Sequence, residues 1–153
     1  MNELRLSGIY SIKVPVRDVE RSRTWYQRTF GYVVDVEFPD DDGVVRGIAG
    51  HLVGVDETFL ALRADPALAE QLRGSNLFNL GVSDDDELDR WVTRLDDLMV
   101  AHSPKIDATI GRMVIVTDPD GFEIHLYSRE HHGLDQSNRS GYGRRVISHT
   151  DQA

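Results

Sequence analysis

The sequence predicts an α+β fold made of two consecutive modules, each with the element order β-α-β-β-β. A strand-like alternation followed by an amphipathic helix opens the chain, and the same pattern recurs 66 residues later. Three further strand-like runs follow each helix. Two copies of one pattern indicate a paired fold rather than a solenoid. Helices packed on one face of the strands would leave the other face to line a cavity.

The first module opens with a predicted strand over residues 11–16, in which apolar and more polar residues alternate. Asp18 is the predicted N-cap of the following helix, because its carboxylate can accept a hydrogen bond from a free backbone amide. Gly31 is placed to end the helix, since the position after a helix often has a positive φ. Further strands are predicted over residues 32–38, 44–49 and 58–63.

The second module repeats this plan. The offset of 66 aligns Ile12 with Phe78, Val14 with Leu80, Asp18 with Asp84 and Trp25 with Trp91. A helical apolar stripe follows Asp84 and contains Leu88, Trp91, Val92, Leu95, Leu98 and Met99. Strands are then predicted near residues 105–108, 112–117 and 122–127. The shared pattern is best explained by an internal duplication, with each tryptophan packed in the core or at an interface.

The repeated pattern of strands and helices predicts four segments in the chain. The first module spans residues 8–64, a linker helix beginning at Pro66 spans 65–75, the second module spans 76–128 and a polar tail spans 129–153. The tail has too few apolar residues for a core of its own. We expect it to be disordered or to fold over the cleft or onto a second subunit. His131 and His132 are predicted to lie in a solvated loop at its start.

Composition excludes several classes of protein. The 153-residue chain has a formal net charge of −9, which argues against a nucleic-acid-binding surface. It has no cysteine, which excludes disulfides, thiolate metal ligands and cysteine nucleophiles. No apolar run is long enough to cross a bilayer, and the N-terminus does not look like a signal peptide. A cytoplasmic protein is therefore the expectation.

Two motifs carry a resemblance to a known family. The segment "VPVRDVERSRTWYQRTFGY" (residues 14–32) and the segment "DPDGFEIHLY" (residues 118–127) resemble the opening and the final hairpin of the vicinal oxygen chelate superfamily. This superfamily contains glyoxalases, bleomycin-resistance proteins and extradiol dioxygenases. The resemblance covers roughly residues 8–128. It implies that the two modules form an open, curled mixed sheet around a ligand cleft, commonly in a homodimer.

The resemblance also implies where a metal ion would be held. Carried over position by position, the four ligand positions of metal-dependent relatives fall on Ser11, Ala61, Leu77 and His125. Of these, only His125 is a good ligand for a transition metal, and such ions normally need at least three protein donors. Shifting the second opening position by two residues brings in Asn79, a poor ligand for these metals. No metal cofactor is therefore predicted, with one divalent ion as the alternative.

His125 and Lys13 each allow more than one interpretation. Strand alternation places Glu123, His125 and Tyr127 on the cleft face, near Lys13 and Asn79. His125 contacts a ligand, serves as a general base or is hydrogen-bonded in the cleft wall without a chemical role. Lys13 either meets an anionic ligand or forms an ion pair with Glu123, because an unpaired buried lysine is costly.

The sequence thus favours a metal-independent protein that binds a small molecule for sequestration or recognition. The predicted ligand-contacting residues are Ser11, Lys13, Asn79, Glu123, His125 and Tyr127. The alternative is a metal-dependent lyase, isomerase or dioxygenase with a shifted ligand set around His125, using Glu123, His51 or the tail histidines. A module that binds a partner and has a vestigial cleft is a third possibility. The expected partners are a small molecule and a second copy of the chain.

Overall fold

A computed structural model describes residues 3–144 and residue 146. The first module consists of β1 (Ser11–Val16), α1 (Val19–Phe30), β2 (Val33–Pro39), β3 (Val45–Leu52) and β4 (Val55–Ala64). A short helix, α2 (Pro66–Gln71), connects it to the second module. The second module consists of β5 (Asn76–Val82), α3 (Asp85–Asp97), β6 (Ile106–Asp107), β7 (Gly111–Thr117) and β8 (Glu123–His131).

The strands form two four-stranded mixed sheets, in the orders β1-β4-β3-β2 and β5-β8-β7-β6. In each sheet the opening strand pairs in parallel with the last strand, and the remaining pairs are antiparallel. The structure therefore confirms two βαβββ modules and an open mixed sheet in each. β8 runs through His131, further than the sequence predicts, so His131 lies on a strand and the expectation of a loop is wrong there.

Local signals fix both long helices. The Asp18 carboxylate accepts a hydrogen bond from the Arg21 amide at 3.0 Å, and the Asp84 carboxylate accepts one from the Glu87 amide at 2.8 Å. Gly31 ends α1 with φ +67°, a conformation that favours glycine. The predicted caps and the predicted stop are confirmed. None of the described helices is long and apolar enough to cross a membrane.

The core lies between the helices and one face of each sheet. Val14, Val16, Ile124 and Leu126 are almost completely buried, whereas the residues that alternate with the two on β8 are only partly buried, namely Glu123, His125 and Tyr127. This alternation is the period of two expected of a strand with one face on the core. The other face of each sheet points away from the helices, as the sequence predicts.

Side chains at the ends of α1 and α3 join the two modules. Arg28 of α1 donates a hydrogen bond to the Leu98 carbonyl at 2.6 Å. In return, Arg94 of α3 donates to the Arg28 and Thr29 carbonyls at 2.7 and 3.1 Å. Each helix thus satisfies carbonyl groups at the C-terminal end of the other, where intrahelical partners are lacking.

A tight turn between β7 and β8 forms a second contact, or joint, between the two modules. It begins with Asp118, whose carboxylate accepts hydrogen bonds from the Tyr26 hydroxyl and from the amides of Asp120 and Phe122, each at 2.9 Å. Burial raises the pKa of Asp118 above its ordinary value. Burial, together with the nearby Asp118 charge, raises the pKa of Tyr26 as well.

Arg21 completes the second joint. Its guanidinium meets the buried Asp120 carboxylate at 3.1 Å, and the Arg17 amide donates to the same carboxylate oxygen at 3.2 Å. The start of α1 is therefore held to the second module by charge-assisted hydrogen bonds.

Candidate functional site

A cavity of about 440 Å³ lies over the first sheet, on the face away from the helices. Aromatic, small and basic side chains surround it. Its lining residues are Tyr10, Ser11, Lys13, Val36, Phe38, Arg46, Gly47, Ile48, Ala49, Phe59, Ala61 and Arg63. This volume is within the range of pockets that hold small molecules.

Small residues form the floor of the cavity. Strand register places Val36, Ala49, Ala61 and Lys13 side by side across β2, β3, β4 and β1. The two alanines in the middle of this row leave room above the sheet, and Lys13 stands at its end. Because residues in register on neighbouring strands share a face, all four belong to one surface.

Two aromatic rings border the floor on one side. Ser11 lies opposite Phe59, and the Phe59 amide donates to the Tyr10 carbonyl at 2.9 Å, which extends the parallel pairing by one residue. The Tyr10 and Phe59 rings lie 5.5 Å apart between centroids, a favourable aromatic separation. The Thr58 hydroxyl also donates to the Ile9 carbonyl at 2.9 Å. The segment that carries Tyr10 is therefore tied to β4.

Basic side chains border the opposite side. Phe38, Gly47 and Arg63 lie in register across β2, β3 and β4. The position that a Cβ would take on Gly47 is 3.7 Å from both the Arg63 Cγ and a ring carbon of Phe38. The arginine stem and the phenylalanine ring therefore both border the space above this glycine. Arg46, also in the lining, pairs with Asp40 at 2.8 Å.

The second sheet carries the other predicted residues. Asn79 lies opposite His125 on the β5–β8 ladder. The His125 Nε2 lies 3.1 Å from a Glu123 carboxylate oxygen, and the His125 ring centroid lies 6.1 Å from that of Tyr127. The structure therefore brings these four residues together. The ion pair considered between Lys13 and Glu123 is not formed, since Glu123 pairs with His125 instead.

Not all the predicted contact residues share one cavity. Ser11 and Lys13 line the cavity of the first sheet, whereas Asn79, Glu123, His125 and Tyr127 lie on the second sheet and do not line it. Sequence reasoning missed the aromatic and basic lining residues Tyr10, Phe38, Phe59, Arg46 and Arg63. A signal for two of them was present, because Phe59 and Arg63 alternate with buried leucines along β4.

The donor set does not fit a transition metal. Of the four positions implied by the family resemblance, Ser11 lies opposite Phe59, and Lys13 rather than Ser11 lies opposite Ala61. His125 has an asparagine across the ladder and a single carboxylate nearby. Within residues 3–144 and 146, no group of three or more His, Asp or Glu side chains could hold a metal ion.

The paired βαβββ modules, with a cavity on the strand face, define a protein of the vicinal oxygen chelate fold. A family profile for the Glyoxalase/Bleomycin resistance protein/Dioxygenase superfamily matches residues 8–126. The chain belongs to this superfamily. A comparison with curated proteins found no match.

Solved structures share the fold. TnmS3, an antibiotic-binding protein from Streptomyces sp. CB03234, is 27% identical with a TM-score of 0.66, over 82% of this chain and 98% of TnmS3. Lactoylglutathione lyase from Agrobacterium tumefaciens is 18% identical with a TM-score of 0.65, over 84% of this chain and 98% of the lyase.

The fosfomycin resistance protein FosX from Listeria monocytogenes is 18% identical with a TM-score of 0.64, over 81% of this chain and 94% of FosX. Two FosX structures contain Mn(II). At this level of identity, FosX and the lyase show that the fold is shared.

Proposed function

We propose that this chain is a small-molecule-binding protein that sequesters or recognises its ligand in the cavity of the first sheet, without a metal cofactor. The cavity carries this proposal, because it combines an apolar floor with aromatic and polar groups at its edges. Such pockets hold a ligand through apolar area and orient it through a few polar contacts. TnmS3, at 27% identity, is described as an antibiotic-binding protein, which supports the same class of function.

Ligand binding in this cavity is tested with a thermal-shift screen of small molecules. A ligand that binds the folded chain raises the melting temperature with increasing concentration. The test variant is Ala49→Leu, which should block binding because Ala49 lies in the middle of the floor and a leucine there fills the cavity. We expect hits with the unmodified protein and none with the variant. Hits that survive in Ala49→Leu place binding elsewhere and contradict the proposal.

The proposed metal independence is tested by elemental analysis of protein purified without chelators. We expect far less than one divalent ion per chain, because the four implied positions supply one good donor, His125. One tightly bound ion per chain that disappears in His125→Ala would contradict this part of the proposal.

A metal-dependent lyase, isomerase or dioxygenase is the alternative function. The pair formed by His125 and Glu123 favours it, because an imidazole and a carboxylate 3.1 Å apart are both groups that a metal ion would accept. His51, considered as a further donor, pairs with Asp35 at 2.9 Å on the first sheet. Turnover that chelators abolish and added nickel, zinc or iron restores would establish this function.

We further propose a homodimer in which a second copy covers the open sheet faces. Two lining residues of the edge strand β2, Val36 and Phe38, are 46% and 54% exposed. Exposed apolar side chains on an edge strand are typical of surfaces that another chain covers. Light scattering coupled to size-exclusion chromatography should give twice the chain mass of 17.3 kDa. A mass of one chain at micromolar concentration would contradict the homodimer.

A further inference from the structure

We propose that the cavity of the first sheet selects aromatic ligands that carry an anionic group, with the anion held by Lys13 and Arg63. The inference deepens the proposed function and rests on it, because it assumes that this cavity is where the ligand binds. It names the chemical class of ligand, a flat ring system with a carboxylate, sulfonate or phosphate at its edge.

The charge of the lining is opposite to that of the protein. The chain has 26 acidic and 17 basic residues. The cavity lining nevertheless contains three basic residues, Lys13, Arg46 and Arg63, and no acidic residue. Clefts lined by one sign of charge concentrate ligands of the opposite sign. An anion is repelled by most of the surface and attracted at this cavity, whereas a cationic ligand is disfavoured there.

Two of these basic groups are available to a ligand. Within the described residues, the side chains of Lys13 and Arg63 make no salt bridge and no hydrogen bond to another residue, whereas Arg46 is paired with Asp40. Lys13 is in register with Ala61, and Arg63 follows Ala61 by two residues on β4, so both project from the same face. Lysine and arginine on one face can together bind a carboxylate or phosphate group.

The remaining lining suits a flat ring. The floor of Ala49 and Ala61 lies between the Tyr10–Phe59 ring pair on one side and Phe38 on the other. A ring resting on the two alanines would contact these aromatic groups at its edges, a favourable arrangement. An anionic substituent of the ring, on the side of β1 and Arg63, would then contact the charged groups of Lys13 and Arg63. Ring and anion are therefore recognised by different parts of one cavity.

The test uses two fluorescent probes with the same rings. Anilinonaphthalene sulfonate carries a sulfonate, and N-phenylnaphthylamine is neutral. Inorganic phosphate serves as the anion without a ring. We expect the folded protein to bind the sulfonate probe at least about tenfold more tightly than the neutral probe. Added sodium chloride should weaken binding of the sulfonate probe but not binding of the neutral probe, because salt screens the attraction between exposed charges. Phosphate alone should compete weakly.

The double variant Lys13→Met and Arg63→Met removes both charges and keeps apolar stems of similar length. It should lose most of the preference for the sulfonate probe while binding of the neutral probe changes little. The control is Arg5→Met with Arg90→Met, which removes the same charge from two arginines that are 82% and 79% exposed and lie outside the cavity. This control should retain the preference. Circular dichroism checks that both variants fold, and the single variants at positions 13 and 63 replace the double variant if it does not.

Two results would overturn the inference while leaving the proposed function intact. The first is equal affinity for the two probes in a protein whose binding is blocked by Ala49→Leu. The second is an equal loss of preference in both double variants, which would assign it to net charge. Failure of both probes to bind would also overturn the inference alone, because the proposed function does not require this class of ligand. Binding undiminished in Ala49→Leu would instead defeat the proposed function and the inference together.

Discussion

At the scale of single residues, Asp118 is a buried aspartate that makes several hydrogen bonds. The residue is 4% exposed, and its carboxylate accepts three hydrogen bonds, two from backbone amides and one from Tyr26. A buried amide that loses its acceptor costs about 1–3 kcal/mol. This aspartate therefore stabilises the turn between β7 and β8 and fastens the turn to α1.

Removing the acceptor at this position should be costly. Asp118→Ala leaves the amides of Asp120 and Phe122 without a partner, and we expect the free energy of unfolding to fall by about 2–4 kcal/mol. Asp118→Asn keeps an oxygen for both amides, so its loss should be clearly smaller. Urea denaturation of the two variants measures the difference. Equal losses would show that the charge, rather than the acceptor geometry, matters.

His102 should make stability depend on pH. Its Nε2 lies 2.9 Å from an Asp96 carboxylate oxygen and its Nδ1 2.7 Å from the Ser103 carbonyl, so both ring nitrogens can donate a hydrogen bond to these acceptors only when the ring is protonated. The pKa of His102 is accordingly raised, chiefly by the Asp96 hydrogen bond. A raised folded pKa adds stability that is complete below the ordinary value near 6.5 and is lost as pH rises through the folded pKa.

We therefore expect the unfolding free energy to decrease by up to about 1 kcal/mol as pH rises from about 6 to 9, since Asp96 is exposed. His102→Gln should remove this part of the pH dependence. Asp96→Asn, which removes the partner, should reduce it as well. A pH profile of denaturation that is the same in all three proteins would contradict the role of His102.

The pairing register between strands limited what could be predicted about the site. Alternation correctly assigns the faces of β1 and β8, because it is a property of each strand alone. Which residues lie opposite one another depends on pairing between distant strands. The sequence therefore could not show that Lys13, rather than Ser11, stands beside Ala61. Nor could it show that Arg63 and Phe38 both border the space above Gly47.

At the scale of elements, the two long helices were predicted well because their signals are local. Caps at Asp18 and Asp84 and the stop at Gly31 act within a few residues of the chain. The strand ends were predicted less well. β8 continues to His131 because Gly111 of β7 pairs with that residue, a contact that no local pattern reveals.

The repeat offers a matched test of capping. Asp18→Ala and Asp84→Ala each remove one side-chain acceptor from a helix start, and we expect each to lower the unfolding free energy by about 1 kcal/mol. Asparagine at either position should retain most of the stability. Asp41→Ala serves as the control, because Asp41 lies exposed in the turn between β2 and β3. Thermal denaturation that ranks Asp41→Ala with the cap variants would contradict this assignment.

At the scale of the whole molecule, the two modules are held together by polar contacts as well as by apolar ones. Phe30 and Trp91 meet across the joint with ring centroids 5.7 Å apart, and Arg94 lies 5.9 Å from the Trp91 ring. Trp91 is therefore an interface residue, as its place in the repeat suggests. The polar contacts around it come from the ends of both helices.

We expect Arg94→Met to lower the unfolding free energy by about 1–3 kcal/mol, because two carbonyls at the end of α1 lose their donor. Arg90→Met is the matched control on the same helix, since Arg90 is 79% exposed and pairs only with Glu87 among the described residues. The control should change stability by less than about 0.5 kcal/mol. Equal effects in calorimetry would show that the joint does not depend on Arg94.

The reciprocal hydrogen bonds that Arg28 and Arg94 make between the two helices have an evolutionary consequence. Arg28 and Arg94 stand at equivalent positions of the internal repeat, and each reaches the end of the opposite helix. Contacts that are returned by an equivalent residue are the mark of a two-fold interface. A lone ancestral module with this arginine would have recognised a copy of itself through the same pair of contacts. Gene duplication would then have converted an association between molecules into one within a single polypeptide.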